Sequence, residues 1–309
     1  MERRDLLIHL GYPRTASSWL QQRVFNHRES GLWTPWENAR PLLIHSFVLE
    51  DGYVWDPEAA RNRFAEGRSR AREAGVTAVL SDETLVGDAI SRNYWGQMVI
   101  DRIAKAFGDA SLLVIVREQR SMALSMYRQY VMESGVHALT AFIGHGDEPM
   151  SYTPWLRPEH LMYDRIIEYC INRFSRDRVL VLPFEWIKSG PAVFLRRIQD
   201  YVGVKSEYVA DPREVNRSWP VGVLVIRRRV NRLTSVNPLR PGRMRWERGL
   251  HRGLQLLGSL IPAALERSLD ERMRDEVARR YEGVYAESNR KLADLTGLPL
   301  HELGYDCGR

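Results

Sequence analysis

The sequence predicts an α/β fold in which a parallel central sheet is flanked by helices. Four short apolar runs, at about 6–10, 76–81, 111–116 and 178–182, have the length and composition of buried strands. The segments between them are long enough for helices and carry helical spacing of their apolar residues. Strands that alternate with helices form parallel sheets, so we expect ligands at the carboxyl ends of the strands.

Helices are predicted where apolar residues recur every three or four positions. They cover about 17–28, 57–74, 92–107, 119–134, 158–175 and 191–202. Beyond about residue 205 the sequence has a helical pattern and many basic residues. No Ser/Gly- or Pro-rich linker marks a domain boundary. We therefore expect one domain over 1–309, with a core over about 1–204 and a helical, basic C-terminal part over about 205–309.

The turn after the first strand has the chemistry of an anion site. The apolar run Leu6–Leu10 ends at Gly11 and passes directly into a helical pattern. This turn and the helix start carry one cation and three hydroxyls, on Arg14, Thr15, Ser17 and Ser18. The first turn of a helix has unpaired N–H groups and a partial positive charge, which favour a phosphate or sulfate. The alternative is an ordinary strand-turn-helix with a serine N-cap. The turn is not a Walker loop, because the required glycine spacing and the lysine are missing.

A second pair of residues also points to phosphate binding. The strand at 111–116 ends at Arg117, and Ser125 follows eight residues later on the next helix. Because Arg117 leaves the carboxyl end of a strand and Ser125 lies one or two turns into the helix, the two are expected to converge on one phosphate. Either residue taken singly has a common alternative, a strand-end arginine or a solvent-facing helical serine.

The turn after the first strand resembles the 5′-phosphosulfate loop of the sulfotransferases that use 3′-phosphoadenosine 5′-phosphosulfate (PAPS). The usual form of that loop is Tyr-Pro-Lys-Ser-Gly-Thr-Thr-Trp. Arg14 stands at the lysine position, and Trp19 matches the tryptophan. Ser17 and Ser18 take the two threonine positions. Ala16 replaces the usual glycine of this phosphate-binding loop, which we call the cradle. Either Ala16 keeps a right-handed helical conformation or the shape of the cradle is altered.

The resemblance runs from residue 6 to about 204. Arg117 and Ser125 resemble the family's 3′-phosphate motif, and the stretch Arg178–Trp186 resembles its following strand and turn. The resemblance implies a P-loop-like sulfotransferase fold whose nucleotide-binding core spans about 1–204. It also implies PAPS as donor, adenosine 3′,5′-bisphosphate as product, no metal, and a basic segment over the nucleotide for which Arg217 is the candidate.

Sulfuryl transfer to a hydroxyl or amine needs a base for the acceptor and a cation for the leaving oxygen. Arg14 is the candidate cation. In the resembled family the base is His or Glu, and Glu83 follows the strand at 76–81 in the slot where cytosolic members place a Thr-His pair. Glu37 is the second candidate, because other sulfotransferases place a catalytic Glu about that far beyond the loop. A capping carboxylate is the alternative, above all for Asp82.

The composition limits which binding partners and which cellular compartment we expect for the protein. The net charge of +6 over 309 residues comes almost wholly from arginine, which is typical of a GC-rich genome, so no nucleic-acid partner is expected. Two cysteines form no disulfide framework and the N-terminus leads straight into a strand, so we expect a cytoplasmic protein. The apolar stretch at 253–265 is too short to cross a bilayer, and its flanking arginines leave open contact with a membrane surface. The scattered histidines show no metal-ligand spacing, so we expect a metal-free site.

Two other functions remain open at this point. A P-loop phosphotransferase or kinase is disfavoured by the missing Lys-Ser/Thr pair and the missing acidic Mg²⁺ site. A non-catalytic nucleotide-binding protein on a sulfotransferase scaffold finds its best support in Ala16. The acceptor is expected to be a small molecule, carbohydrate, lipid or peptide, since specificity resides in loops without a readable code. The sequence indicates no oligomeric state.

Overall fold

The computed structural model describes residues 3–211, 219–233, 253 and 261–308. Its centre is a five-stranded sheet in which every pairing is parallel, so the predicted α/β class is confirmed. The strand order is β2-β3-β1-β4-β5. The strands are β1 (Leu6–Leu10), β2 (Leu32–Trp33), β3 (Thr77–Asp82), β4 (Ser111–Val116) and β5 (Val179–Pro183).

The helices follow the predicted alternation, with several differences. They are α1 (Ser17–Leu20, continued by a π-helical turn Gln21–Phe25), α2 (Ala39–Ile44, continued by His45–Leu49), α3 (Pro57–Arg63), α4 (Ala65–Glu73), α5 (Gly96–Ala106), α6 (Gln119–Met132), α7 (Leu139–Ile143), α8 (Tyr163–Phe174), α9 (Glu185–Ser189), α10 (Pro191–Val202), α11 (Val221–Leu233), α12 (Ala263–Arg280) and α13 (Ala286–Thr296). The single helix expected over 57–74 is interrupted at Phe64, whose ring is fully buried. The helices α2, α7 and α9 and the two-residue strand β2 were not predicted.

The chain forms two compact units. The first comprises Met1–Glu118, Met162–Asn216 and Ala286–Arg309 and contains the whole sheet. The second comprises Gln119–Leu161 and Arg217–Tyr285, and the elements described in it are helical. The expectation of one domain over 1–309 stays a prediction.

The register of the sheet brings three strand ends to one edge. Leu10, the last residue of β1, pairs with Asp82 of β3 and with Val114 of β4. The residues that follow these strands, Gly11, Glu83 and Arg117, therefore leave the sheet on the same side. This is the edge at which parallel sheets bind ligands.

Apolar packing holds α1 against this sheet. One buried cluster joins strand residues with the helical residues that cover them, among them Leu7, Val79, Leu113, Ile115, Leu20, Val24, Phe194 and Ile198. Each such side chain gains about 1.5–3 kcal/mol by leaving water. The start of α1 is thus fixed relative to the strand ends, which a binding loop requires.

Candidate functional site

The loop from β1 to α1 begins at a glycine that permits a close approach of backbones. The Gly11 N–H donates to the carbonyl of Asp82 at 3.1 Å. A Cβ atom on Gly11 would lie 2.9 Å from the Cα of Glu83 and 3.1 Å from the Oγ of Ser17. A side chain at this position would therefore separate the loop from the end of β3.

The loop then alternates between left-handed and ordinary backbone. Arg14 has φ 67° and Ala16 has φ 64°, whereas Thr15 between them is not in the positive-φ region. Such alternation turns successive N–H groups toward one side and forms an anion-binding concavity, as in P-loops. The Leu20 N–H donates to the Ala16 carbonyl at 3.0 Å, so the helix starts at the rim of this concavity.

The right-handed alternative for Ala16 is wrong. With φ 64° and ψ 18° the residue is left-handed, as a glycine would be there. The entry into α1 imposes this conformation, and alanine adopts it at a cost of about 1–2 kcal/mol.

We expect Ala16→Gly to raise the free energy of unfolding by about 0.5–1 kcal/mol. Relief of the left-handed strain outweighs the 0.4–1 kcal/mol that glycine adds to the unfolded chain's entropy. Ala104→Gly, inside α5, is the matched control and should lose about 0.8–1 kcal/mol. Urea denaturation measures both, and an equal loss in the two variants would contradict the strained conformation.

The hydroxyls of the loop divide into two kinds. The Thr15 hydroxyl is buried and donates to the Tyr12 carbonyl at 2.6 Å, and Ser17 Oγ lies 3.5 Å from the same oxygen. These two hydroxyls contact the backbone of the loop itself, and their binding of a ligand stays a prediction. Ser18 is partly exposed and is the hydroxyl best placed to meet one.

Trp19 connects the loop helix to the segment after α10. Its ring belongs to the buried cluster under the sheet, and its Nε1–H donates to the Asp211 carbonyl at 2.7 Å. The structure thus gives Trp19 a role in positioning the helix.

Arg117 joins the loop from the neighbouring strand. Its Nη1 donates to the carbonyl of Arg14 at 3.0 Å, and its guanidinium lies 4.8 Å from the centre of the Phe184 ring. Burial lowers the pKa of Arg117, the Glu185 carboxylate raises it, and the nearby Arg14 cation lowers it. An anion beside two neighbouring cations would stabilise both of them. The bond from Arg117 to the Arg14 carbonyl was not predicted from the sequence, and the roles of the two arginines stay predictions.

A layer of hydrogen bonds fixes the end of β4 where Arg117 emerges. The Tyr163 hydroxyl donates to the Arg117 carbonyl at 2.8 Å. The Glu185 carboxylate accepts from the Glu118 N–H and from the Tyr305 hydroxyl, each at 3.1 Å. The sequence analysis assigned no site residue to the stretch around Phe184 and Glu185. Both residues follow β5 directly, and β5 ends beside β4, which is the sequence feature that could have pointed to them.

Two further residues that the sequence analysis assigns to phosphate binding are Ser125 and Arg217. Ser125 lies on α6 in the second unit and is buried. Its convergence with Arg117 stays a prediction. Arg217 lies outside the described residues.

Asp82 is a capping carboxylate. It is buried, and its Oδ1 accepts from the Thr84 N–H at 2.8 Å and from the Thr84 hydroxyl at 2.6 Å. Its Oδ2 lies 2.7 Å from Nε of Arg40, whose side chain is largely exposed. These contacts fix the turn that carries Glu83.

The two candidate bases differ in burial. Glu83 is partly buried and follows Asp82 directly, with its Cα next to the start of the loop. Glu37 is exposed, three residues before Arg40. The assignment of the base to Glu83 or to Glu37 stays a prediction.

A buried histidine lies behind the loop. His9 Nδ1 is 2.9 Å from Ser81 Oγ, to which Gln21 Nε2 donates at 3.1 Å. Burial lowers the pKa of His9 to about 4. Fully enclosed and neutral, this histidine cannot reach the proton of an acceptor, and it serves to tie β1 to β3 and the loop helix.

We expect the burial of His9 to make stability depend on pH. Between pH 6.5 and pH 4 the histidine binds a proton in the unfolded chain but not in the folded one, so stability falls as the pH falls. From pH 7.5 to 4.5 the wild type should lose about 2.5 kcal/mol more than His9→Gln. Urea denaturation at both pH values gives the comparison. His45→Gln, at an exposed histidine, should keep the wild-type dependence, and the same dependence in His9→Gln would rule out this origin.

Two further properties of the described part of the chain concern metal ligation and the membrane. Within it, no group of three or more His, Cys, Asp and Glu side chains is arranged to hold a metal ion. No helix there is both long enough and apolar enough to cross a bilayer.

Two solved structures are similar to this chain. One is a sulfotransferase from Alicyclobacillus acidocaldarius, at 18% identity and a TM-score of 0.48, over 70% of this chain and 87% of that one. The other is the sulfotransferase domain from the curacin biosynthetic pathway, at 15% identity and a TM-score of 0.38, over 69% of this chain and 80% of that one. No protein-family model matches the chain, and neither does any curated protein.

Proposed function

We propose that this protein transfers a sulfuryl group from PAPS to a hydroxyl or amine of an acceptor. The observation that carries the proposal is the cradle after β1, where Arg14 and Ala16 have left-handed backbone that turns N–H groups to one side. Arg117 donates a hydrogen bond to the Arg14 carbonyl of this loop. A phosphosulfate has the charge and the size that such a concavity binds. The left-handed conformation of Ala16 supports this proposal over that of a non-catalytic nucleotide-binding protein.

The residues divide the chemistry between them. Arg14 holds its charge at the cradle and stabilises the oxygen that leaves. Glu83 takes the proton of the acceptor's hydroxyl as the bond from that oxygen to sulfur forms. The bond from sulfur to the bridging oxygen breaks in line with it, and adenosine 3′,5′-bisphosphate departs. Arg117 and Ser125 bind the 3′-phosphate, and Arg217 is the candidate for the segment that covers the nucleotide.

Transfer of labelled sulfate from PAPS to a panel of phenols, sugars, lipids and peptides tests the reaction. Thermal denaturation with adenosine 3′,5′-bisphosphate or ATP tests the nucleotide separately. We expect stabilisation by the bisphosphate and little by ATP. Stabilisation by ATP alone would favour a phosphotransferase, and binding of bisphosphate without transfer to any acceptor would favour a binding protein.

We expect Arg117→Ala to weaken binding of adenosine 3′,5′-bisphosphate by about tenfold to a hundredfold, because a charge-assisted hydrogen bond contributes about 1.5–3 kcal/mol. Ser125→Ala should cost less, since it loses a neutral donor. Calorimetric titration measures both. Lys188→Ala is the matched control, because it removes a cation 5.2 Å from the centre of the same Phe184 ring. Unchanged affinity in both Arg117→Ala and Ser125→Ala would refute their assignment to the 3′-phosphate.

A further inference from the structure

An acidic side chain lies beside Arg117 at the end of β4. Glu185 is the first residue of α9 and directly follows Phe184, whose ring centre is 4.8 Å from the Arg117 guanidinium. The Oε1 atom of Glu185 accepts from the N–H of Glu118, the residue after Arg117, at 3.1 Å. Burial lowers the pKa of Arg117, and the charge of Glu185 raises it. The Glu185 carboxylate is therefore close enough to stabilise the Arg117 cation.

Tyr305 fixes the second oxygen of Glu185. Its hydroxyl donates to the Oε2 atom at 3.1 Å, and only 2% of the tyrosine is exposed. Burial, followed by the charge of Glu185, raises the pKa of Tyr305 well above its ordinary value, so the hydroxyl keeps the proton that it donates. Because each oxygen of Glu185 accepts one hydrogen bond, the direction of the carboxylate is fixed.

Backbone contacts hold Tyr305 in place. Its N–H donates to the Leu300 carbonyl at 3.1 Å. The carbonyl of the next residue, Asp306, accepts from Asn289 Nδ2 at 2.8 Å. Asn289 lies on α13 and is fully buried. The segment after α13 therefore presents the Tyr305 hydroxyl to Glu185 on a fixed backbone.

Glu185 has opposite effects on the free and the anion-bound protein. A guanidinium that is partly removed from water is stabilised by a nearby carboxylate, so Glu185 stabilises Arg117 when no anion is bound. An anion that binds Arg117 comes close to the same carboxylate, and two like charges repel each other. The carboxylate therefore lowers the affinity for the anion.

We propose that Glu185 is the counter-ion of Arg117 and that, held by Tyr305, it lowers the affinity of Arg117 for an anion without occupying the guanidinium. If the Tyr305 bond is lost, the carboxylate is free to turn to Arg117 and to compete with the anion for its donors. Glu185 and Tyr305 are thus positioning residues. The proposal rests on the proposed function for the identity of the anion, and it assigns Glu185 a part in the release of the bisphosphate product.

A double-mutant cycle of Arg117→Met and Glu185→Gln tests the counter-ion without any ligand. Glutamine keeps the shape of the side chain and the acceptor for the Glu118 N–H, so Glu185→Gln removes mainly the charge. We expect it to lower the urea midpoint of the wild type and to lower that of Arg117→Met much less. Glu168→Gln, at an exposed position of α8, is the matched control and should have the same small effect in both backgrounds. Losses that add in the double variant would rule out the counter-ion.

Calorimetric titration of adenosine 3′,5′-bisphosphate tests the effect on affinity. We expect Glu185→Gln to bind it about threefold to tenfold more tightly, because a like charge is removed. Tyr305→Phe should bind it about threefold to tenfold more weakly, because the released carboxylate competes with the ligand. In the Glu185→Gln background, Tyr305→Phe should have no effect. Tyr169→Phe, which removes a hydroxyl that donates to Asp101 at 2.6 Å, is the control and should bind like the wild type.

The opposite signs separate this role from a purely structural one, which would weaken binding in both variants. Weaker or unchanged binding in Glu185→Gln overturns the proposal. If Glu185→Gln does not fold, Tyr305→Phe decides, and wild-type affinity in that variant overturns the proposal. Absence of sulfuryl transfer would refute the proposed function and leave these affinities unchanged. Absence of bisphosphate binding to the wild type would also refute the proposed function, and the urea cycle would then decide whether Glu185 is the counter-ion.

Discussion

Glu83→Gln is expected to lower kcat by about 10²–10⁴ while nucleotide affinity stays within about twofold of the wild type. Glutamine keeps the shape of the side chain but cannot accept the acceptor's proton. The cradle is left intact because Gly11, Arg14 and Arg117 are untouched. Single-turnover transfer of labelled sulfate, together with calorimetric titration of adenosine 3′,5′-bisphosphate, separates the chemical step from binding.

Glu37→Gln is the matched control for this prediction. It removes the same charge from an exposed position three residues before Arg40 and should leave kcat nearly unchanged. The pH dependence gives a second readout, since loss of the base should remove the rise of kcat with pH in the acid range. Full activity in Glu83→Gln with a collapse in Glu37→Gln would assign the base to Glu37.

Those parts of the fold that depend on composition could be predicted from the sequence. The strands Leu6–Leu10 and Ser111–Val116 have the predicted bounds, because fully buried parallel strands consist of continuous apolar runs between polar turns. The helix Pro191–Val202 is also as predicted, with proline at its start and Gly203 after its end. The shared edge at which β1, β3 and β4 end followed from the prediction of parallel strands, whereas the bond from Arg117 to the Arg14 carbonyl was not predicted.

Features set by tertiary contacts could not be predicted. The strand Leu32–Trp33 is two residues long and exists only through its pairing with Thr77 and Ala78 of β3. The interruption at Phe64 follows from the place of its ring among Phe47, Phe107 and Trp36, which no local pattern encodes.

The candidate site also combines features that the sequence predicts with features that it does not. The residue types of the cradle could be predicted from the sequence, but the direction of each hydroxyl depends on its rotamer and on the turn that carries it. Thr15 and Ser17 therefore turn toward Tyr12, whereas Ser18 remains partly exposed. The left-handed Ala16 contradicts a preference that holds for alanine in isolation, since the entry into α1 overrides it.

Arg14→Ala is expected to lower kcat by about 10²–10³, equivalent to about 2.7–4 kcal/mol of transition-state stabilisation. Negative charge builds on the leaving oxygen as the bond to sulfur breaks, so the contact is stronger in the transition state than in the ground state. A guanidinium stays protonated at working pH and cannot donate a proton to that oxygen, so Arg14 acts by charge alone. Arg14→Lys should restore part of the rate, and the pH profile should keep its wild-type shape.

The defect should be similar for every acceptor, because Arg14 belongs to the loop after β1 and its carbonyl is bound by Arg117. Arg23→Ala is the control, since it removes a cation from the same helical segment whose nearest acidic partner is Asp211 at 4.0 Å. That variant should keep most of the rate. Initial rates at saturating PAPS with two chemically unrelated acceptors measure the effect. Near-normal turnover in Arg14→Ala would leave Arg14 a strand-end charge, and the loop would then bind its anion through backbone N–H groups and Arg117 alone.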